Sequence, residues 1–284
     1  MTRSGELAGS QDGHAAPVEA WDAIAAGYDR HVAPTEVPLA NEALGLAGLK
    51  PGETFLDVAA GPGGLSLPAA RLGAKVLATD WSPAMIERFE ARVHEEGLPD
   101  AEGRVMDAHD LGLEDDTFNV TASQFGVMLV PDQPRALREM VRVTKPGGRV
   151  LLIAYGSPAE IEFLHFFIGA LQAVVPDFGG LPDDPPPLEF QLSDTEVLRR
   201  RLLDAGLKAV SVETSAERLS FRSGQEMWDW VLSSNPIAAM LTADLTKEQQ
   251  ATMRQVLGGM LRERSDGDTA AVLTSPVNIG IGTK

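Results

Sequence analysis

The stretch Phe55-Leu-Asp-Val-Ala-Ala-Gly-Pro-Gly-Gly64 decides the fold of this chain. It is an apolar run of strand length that carries a carboxylate and ends in a glycine-rich turn, and a helical pattern follows over residues 65–72. Because glycine has no Cβ and tolerates positive φ, such a turn lets the backbone approach a ligand closely. The stretch therefore predicts a strand, a ligand-binding loop and a helix in succession.

Apolar segments of strand length alternate with amphipathic helical segments from Pro51 to Tyr155. This alternation is typical of an α/β fold in which helices cover both faces of a mostly parallel sheet. In sheets of this kind, ligands bind beyond the carboxyl ends of the strands. Seven strands are predicted, at residues 54–60, 75–79, 103–106, 118–124, 149–155, 208–214 and 270–281.

Short capping patterns predict where several helices begin. Ser82 followed by Pro83 marks one start, because serine caps a helix and proline suits its first position. Asp132 is predicted to cap a helix over residues 133–143. Capping boxes, with the pattern Ser/Thr-x-x-Glu/Gln, are predicted at Ser193, Ser223 and Thr246.

Composition narrows the classes of function. The formal net charge is −17 at pH 7, and so acidic a surface repels phosphate backbones, which argues against a nucleic-acid partner. The chain has no cysteine, which excludes disulfides, thiolate nucleophiles and cysteine metal sites. The sequence shows neither a signal peptide nor a run of ~20 apolar residues. We expect a cytoplasmic protein with a small-molecule partner, no nucleic acid, no membrane and no metal, and a homodimer as its assembly.

Four features occur in order along the chain. The first strand and its loop read Asp57-x-Ala59-x-Gly61-x-Gly63, and the next two strands end at Asp80 and at Asp107-Ala108. A Lys-Pro-Gly-Gly turn over residues 145–148 precedes the fifth strand. Together these features resemble the class I S-adenosylmethionine-dependent methyltransferases, nearest to the ubiquinone/menaquinone-biosynthesis type. One departure is Ala59, where the family often has glycine.

The resemblance covers residues 21–155 and implies a Rossmann-like fold with S-adenosylmethionine as the cofactor. A carboxylate at Asp80 can accept hydrogen bonds from both ribose hydroxyls. By resemblance, Asp107 accepts from the adenine amino group and the backbone N–H of Ala108 donates to a ring nitrogen. Two apolar contacts to the adenine are also implied, from Trp81 and Met85.

The resemblance also assigns residues to the methionine end of the cofactor. The loop at Gly61 and Gly63 would lie under the methionine and the ribose, and Asp57 would reach the ammonium group directly or through water. Gln124 and Phe125 would line the sulfonium end. Tyr28, on an N-terminal helical cap, would close over the same end.

Two domains are predicted from the pattern and the resemblance together. Residues 1–50 are expected to form a disordered tail and the helical cap, and residues 51–284 a methyltransferase domain. Segments 158–192 and 218–264 are expected to be lid insertions, and their aromatic side chains would wall the pocket for the methyl acceptor.

The predicted function is methyl transfer from S-adenosylmethionine to a small, apolar or aromatic molecule. The sequence leaves O-, N- and C-methylation open. A phenol or alcohol acceptor would need a general base near the sulfonium. The candidates for that base are His165 first and His31 second.

Two alternative hypotheses compete with methyl transfer. A nicotinamide-binding loop needs Gly-x-Gly-x-x-Gly, and Ser66 stands where its third glycine would be. The alternative that stays open is an S-adenosylmethionine-binding protein of the same fold that catalyses a rearrangement or cyclisation, because its cofactor site would look the same.

Overall fold

Seven strands form one sheet in the computed structural model, which describes residues 16–182 and 184–284. The sheet order is β3-β2-β1-β4-β5-β7-β6; β7 runs antiparallel to both its neighbours, and the other pairs are parallel. The predicted fold, a seven-stranded mostly parallel sheet with helices, is confirmed. The strands are β1 Thr54–Val58, β2 Lys75–Asp80, β3 Ala101–Val105, β4 Phe118–Gln124, β5 Thr144–Tyr155, β6 Lys208–Phe221 and β7 Ala271–Thr283.

Helices flank the sheet and also build a second layer above its carboxyl ends. In the part of the chain that the structure describes, no helix has the length and hydropathy needed to cross a membrane. A π-helical segment, Tyr28–Val32, joins the first two α-helices without a break. The α-helices are α1 Val18–Gly27, α2 Ala33–Leu46, α3 Ser66–Arg71, α4 Pro83–Glu96, α5 Gln133–Val143, α6 Glu162–Val174, α7 Thr195–Asp204, α8 Gly224–Ser234, α9 Pro236–Thr242 and α10 Lys247–Ser265.

Most of the predicted helix caps are confirmed. The side chains of Ser82 and Asp132 accept hydrogen bonds from backbone N–H groups at the starts of α4 and α5, and Thr246 forms a full capping box with Gln249. Ser223 caps α8, but it lacks the reciprocal bond because the side chain of its partner, Glu226, accepts from Arg222 instead.

The capping box predicted at Ser193 is wrong. Asp194 caps α7 and accepts from the N–H groups of Glu196 and Val197. The Ser193 hydroxyl instead donates to the Phe190 carbonyl at 2.7 Å. A carboxylate one position closer to the helix serves as the cap, so the helix begins one residue later than the pattern suggested.

Two apolar clusters hold the structure together. The first surrounds the sheet, with fully buried side chains such as Phe55, Leu151 and Ile153. The second lies among α6, α8, α10 and the π-helical segment, and includes Trp228 and Leu257. The predicted division into domains and lids stays a prediction, and most of its tail, residues 1–15, lies outside the described residues.

Candidate functional site

A large cavity opens beyond the carboxyl ends of β1, β2, β4 and β5, under the helical layer. The strand order reverses between β1 and β4, which is where ligands bind in sheets of this kind. Nearly all the side chains and loop residues that the sequence assigned to a cofactor line this cavity. They are Tyr28, Asp57, Ala59, Gly61, Asp80, Trp81, Met85, Asp107, Ala108, Gln124 and Phe125.

The remaining predicted residue, Gly63, lies behind the cavity wall and shapes the loop. Its φ is +97°, and a Cβ there would come within 2.5 Å of the Phe89 ring. Gly61 also has a positive φ, of 55°. Glycine tolerates both conformations without steric cost, so the loop can turn tightly between β1 and α3.

Backbone N–H groups fix the orientation of the Asp80 carboxylate. Gly61 N–H donates to Oδ2 and Ser82 N–H donates to Oδ1, both at 2.9 Å. Burial raises the pKa of Asp80 to about 6, although the N–H groups of Ser82 and Gly61 partly oppose that rise. Each carboxylate oxygen keeps a second lone pair that can accept from a ligand.

Asp57 is buried and only partly satisfied. The Ser66 hydroxyl donates to its Oδ2 at 2.6 Å, whereas its Oδ1 has no hydrogen-bond partner among the described residues. Burial raises the pKa of Asp57 to about 7. A buried acceptor without a partner costs free energy unless a ligand supplies a donor, and Asp57 lines the cavity where such a donor could bind.

The predicted adenine end has a different character. Trp81 is exposed, whereas Met85 and Ala108 are buried, which gives an apolar surface open at one side. Asp107 is exposed and accepts from the backbone N–H of His109 and from its ring Nδ1, at 2.9 and 2.7 Å. His109, which sequence reasoning left out of the site, also lines the cavity.

Tyr28 and Glu36 connect the helical layer to the glycine loop. The Tyr28 hydroxyl donates to Glu36 Oε1 at 2.6 Å, and the Gln124 side-chain amide donates to the Glu36 carbonyl at 3.3 Å. A Cβ on Gly64 would collide with Glu36 Oε2. Burial raises the pKa of Glu36 to about 7, and the Tyr28 bond opposes that rise.

Aromatic rings wall the end of the cavity away from the adenine surface. Phe125 stacks on Tyr155 with ring centroids 4.5 Å apart, and Tyr155 meets Phe163 at 5.7 Å. Phe163 in turn packs edge-on against Trp230, at 5.0 Å. All four residues line the cavity, so a flat apolar ligand would find matching surfaces here.

A second buried glutamate, Glu217, faces this aromatic wall from β6. The Tyr155 hydroxyl donates to its Oε2 over 3.4 Å. Burial raises the pKa of Glu217 to about 8, and the nearby Glu36 raises it further against the Tyr155 bond. Sequence reasoning missed both glutamates, although Glu217 shares its strand parity with the buried Leu219 and Phe221.

Neither histidine proposed as a general base lies at the cavity. His165 is exposed on α6 and is not among the lining residues. His31 lines a separate surface depression with Arg222 and Glu226. Both belong to helices that cover the cavity, but their side chains are directed elsewhere, so we do not carry them forward as bases.

Comparison with known proteins agrees with this arrangement. A family model described as a methyltransferase domain matches residues 56–152. An uncharacterized protein of Mycobacterium tuberculosis is 42% identical over 118 residues, which cover 42% of this chain and 43% of that protein. A demethylmenaquinone methyltransferase of Renibacterium salmoninarum is 31% identical over 171 residues, which cover 58% of this chain and 70% of that enzyme. The chain thus spans less than half the length of the mycobacterial relative.

A solved structure shows the same fold at low sequence identity. Phosphoethanolamine N-methyltransferase 2 of Haemonchus contortus, determined with S-adenosyl-L-methionine, superposes with a TM-score of 0.52 at 19% identity. The superposition covers 86% of this chain and 52% of that one. At this identity the likeness establishes the fold alone.

Proposed function

This chain belongs to the class I S-adenosylmethionine-dependent methyltransferases of the ubiquinone/menaquinone-biosynthesis type, and on that premise we propose that it methylates a small molecule. The donor would bind along the carboxyl ends of β1, β2 and β4, and the acceptor would bind at the aromatic end of the cavity. The observation that carries the proposal is the unpartnered Oδ1 of buried Asp57 in the same cavity as Asp80.

The residues lining the cavity suit each chemical group of the methyl donor, S-adenosylmethionine. Asp57 Oδ1 needs a hydrogen-bond donor, and the methionine ammonium is one. Gln124 Oε1 is likewise buried without a partner in the described chain, close to the loop where that ammonium would lie. Asp80, already held by two N–H groups, is positioned to accept from the ribose hydroxyls, while Trp81 offers its exposed face to the adenine.

When bound, S-adenosylmethionine supplies a methyl group already activated on a sulfonium. The protein therefore needs to position two reactants and exclude water rather than generate an electrophile. Phe125 directly follows β4 and belongs to the aromatic wall, because its ring is stacked on Tyr155. This places an apolar surface where the two reactants would meet.

The acceptor proposed is a small apolar or aromatic molecule. Its support is the aromatic wall and the further apolar lining contributed by the helical layer: Phe167, Ile168, Phe190, Val231 and Leu241. Segments 158–192 and 218–264 supply most of these side chains, which supports their proposed role as lids. Whether the protein assembles as a homodimer stays a prediction.

Calorimetric titration with S-adenosylmethionine and with S-adenosylhomocysteine tests the donor site. We expect Asp80→Asn to weaken binding of both by roughly 10- to 100-fold, because a charge-assisted hydrogen bond is worth about 1.5–3 kcal/mol. Asp204→Asn, the same change at an exposed position on α7, should bind like the wild type. Unchanged affinity in Asp80→Asn would overturn the ribose assignment.

Incubation with S-adenosylmethionine and candidate acceptors then tests the reaction. Formation of S-adenosylhomocysteine together with a methylated product is the expected outcome. Tight cofactor binding without S-adenosylhomocysteine would instead favour the non-methylating alternative, a rearrangement or a cyclisation.

A further inference from the structure

We propose that Glu217 takes the proton from the methyl acceptor, and that this acceptor is an aromatic molecule with an ionisable hydroxyl. The inference rests on the proposed function, since it assigns a role at the acceptor end of the same cavity. It adds a catalytic residue from β6, a strand outside the segment that matches the methyltransferase model, residues 56–152.

The Glu217 side chain is buried but makes only a weak hydrogen bond. It is 3% exposed and lines the cavity. Within the described residues its one hydrogen bond is the 3.4 Å contact from Tyr155, which is long for a bond between a hydroxyl and a carboxylate. The carboxyl can therefore exchange this weak contact for a shorter bond to a ligand hydroxyl.

Glu36, the other buried glutamate of the cavity, is committed to the protein itself. Its Oε1 holds the Tyr28 hydroxyl at 2.6 Å, and its Oε2 packs on the Gly64 backbone. Glu36 is thus a structural link between the helical layer and the glycine loop. Of the two carboxyls, Glu217 is the more weakly held, with a contact of 3.4 Å against the 2.6 Å bond at Glu36.

The surroundings of Glu217 disfavour an anionic acceptor group, because the titratable groups around it are acidic or phenolic. The titratable groups that face it are Tyr155, Glu36, Tyr28 and the partly buried Glu189. Among the described residues, no basic side chain contributes to the pKa of either Glu36 or Glu217. The stacked and tilted rings beside Tyr155 would hold an aromatic ring with its hydroxyl directed at Glu217.

The raised pKa of Glu217 supports this role. Burial lifts it from the ordinary carboxyl range to about 8. A general base works best when its pKa lies near the working pH, and a desolvated carboxylate is a far stronger base than one in water. Burial beside a second carboxyl gives Glu217 this property.

The step conserves atoms and charge. The acceptor O–H bond breaks and its proton goes to a Glu217 oxygen, while the acceptor oxygen forms a bond to the methyl carbon. The carbon–sulfur bond breaks, and its electron pair stays on sulfur. One carboxylate and one sulfonium are thereby neutralised together, which leaves a carboxylic acid, a methyl ether and a thioether.

Binding to the protein saturated with S-adenosylhomocysteine tests the recognition. The probes are 2-naphthol, 2-methylnaphthalene and 2-(aminomethyl)naphthalene. Above pH 8, where Glu217 is largely ionised, we expect naphthol to bind about tenfold more tightly than methylnaphthalene, the worth of one hydrogen bond to a charged group, and Glu217→Leu to abolish that preference. Equal binding of these two probes, or tighter binding of the amine, would overturn the acceptor class.

Turnover of 2-naphthol tests the chemistry. We expect Glu217→Gln to lower kcat at least about 100-fold, the usual contribution of a general base, without changing the affinity for S-adenosylmethionine. Wild-type kcat should rise with pH through Glu217 ionisation, and Glu217→Asp should retain part of the rate and the same pH dependence. Glu213→Gln, at an exposed position four residues earlier on β6, is the matched control.

The experiments distinguish a failure of the Glu217 proposal from a failure of the proposed function. Wild-type turnover in Glu217→Gln, or turnover of none of the probes by a protein that binds S-adenosylmethionine, refutes the role of Glu217 and leaves the proposed function standing. Failure to bind S-adenosylmethionine refutes the proposed function itself.

Discussion

Two residues beside the glycine loop hold an uncommon backbone conformation. Ala59 has a φ of +55° and Phe125 a φ of +57°, the left-handed region in which a Cβ is disfavoured. Strained residues of this kind concentrate at binding and catalytic sites. Here they lie at the ends of β1 and β4, the two strands between which the sheet order reverses.

Ala59→Gly should stabilise the folded chain. Alanine in the left-handed region costs about 1 kcal/mol relative to glycine, so we expect the melting temperature to rise by a few degrees. Ala209→Gly is the matched control, because Ala209 has a φ of +47° but lies exposed on β6, far along the chain from the loop. Both variants should gain stability in thermal unfolding, and only Ala59→Gly should change the affinity for S-adenosylmethionine. A loss of stability in Ala59→Gly would contradict the strain argument.

The donor end of the site was predictable from sequence and the acceptor end was not. Asp57 and Asp80 follow apolar runs, and strand ends converge at one edge of a parallel sheet. Glu217 gave a weaker signal, because the outer half of β6 is exposed and only its last residues alternate in burial. Glu36 lies on the same helical stripe as the buried Leu39 and Ala43, a placement that could have identified it.

At the level of elements, the N-terminal helices are the part most closely fitted to the site. α1 and α2 are joined by the π-helical segment, in which Ala33 N–H donates to the Tyr28 carbonyl. π-Helical turns are rare and often mark functional positions. This one carries Tyr28, and α2 carries Glu36, so the pair reaches the cavity from one continuous helical unit.

Gly64→Ala tests how tightly that unit fits the loop. The added methyl would displace the Glu36 carboxyl, and overpacking of this kind costs about 1–3 kcal/mol. We expect Glu36→Ala/Gly64→Ala to lose less stability than the sum of its single variants, because removing the carboxyl relieves the collision. Gly45→Ala on α2 is the control, since a Cβ there meets nothing within 4 Å. Additive losses in denaturant unfolding would show that the two residues are not in contact.

Local sequence signals predicted the ends of some of the remaining elements, whereas tertiary packing sets the ends of others. Strand β4 and helix α5 match the predicted ranges, 118–124 and 133–143. An apolar run marks the strand, and the N-cap residue Asp132 marks the start of the helix. β5 begins five residues earlier than predicted, at Thr144, and β6 extends to Phe221, well beyond the predicted end at 214. Pairing with a neighbouring strand extends β6, and such long-range pairing leaves little local pattern in the sequence.

At the scale of the whole molecule, acidity extends from the surface into the cavity. The chain carries a formal charge of −17, and burial raises the pKa values of four of the carboxyls lining one cavity to between about 6 and 8. These are Asp80 at about 6, Asp57 and Glu36 at about 7, and Glu217 at about 8. Such a cavity favours a ligand that brings positive charge, and the sulfonium and ammonium of the proposed donor bring two.

The stability of the ligand-free protein should therefore fall as pH rises from about 5 to 8. A carboxyl whose pKa is raised by folding holds its proton in the folded state while the unfolded chain has already lost it. Ionisation thus stabilises the unfolded state, at about 1.4 kcal/mol per pH unit for each such group. The partly buried glutamates with lowered pKa, such as Glu139 and Glu162, act in the opposite direction, but only near pH 4 and below.

Thermal unfolding across pH 5–9 measures this dependence. Glu36→Gln/Glu217→Gln should flatten the decline, because two of the four groups no longer titrate, whereas Glu213→Gln should follow the wild type. Saturating S-adenosylmethionine should raise the melting temperature more at pH 8 than at pH 5.5, since its positive charges pair with carboxylates that are ionised at pH 8 and largely protonated at pH 5.5. A melting temperature independent of pH between 5 and 8 would mean that these carboxyls are not buried in solution as the structure has them.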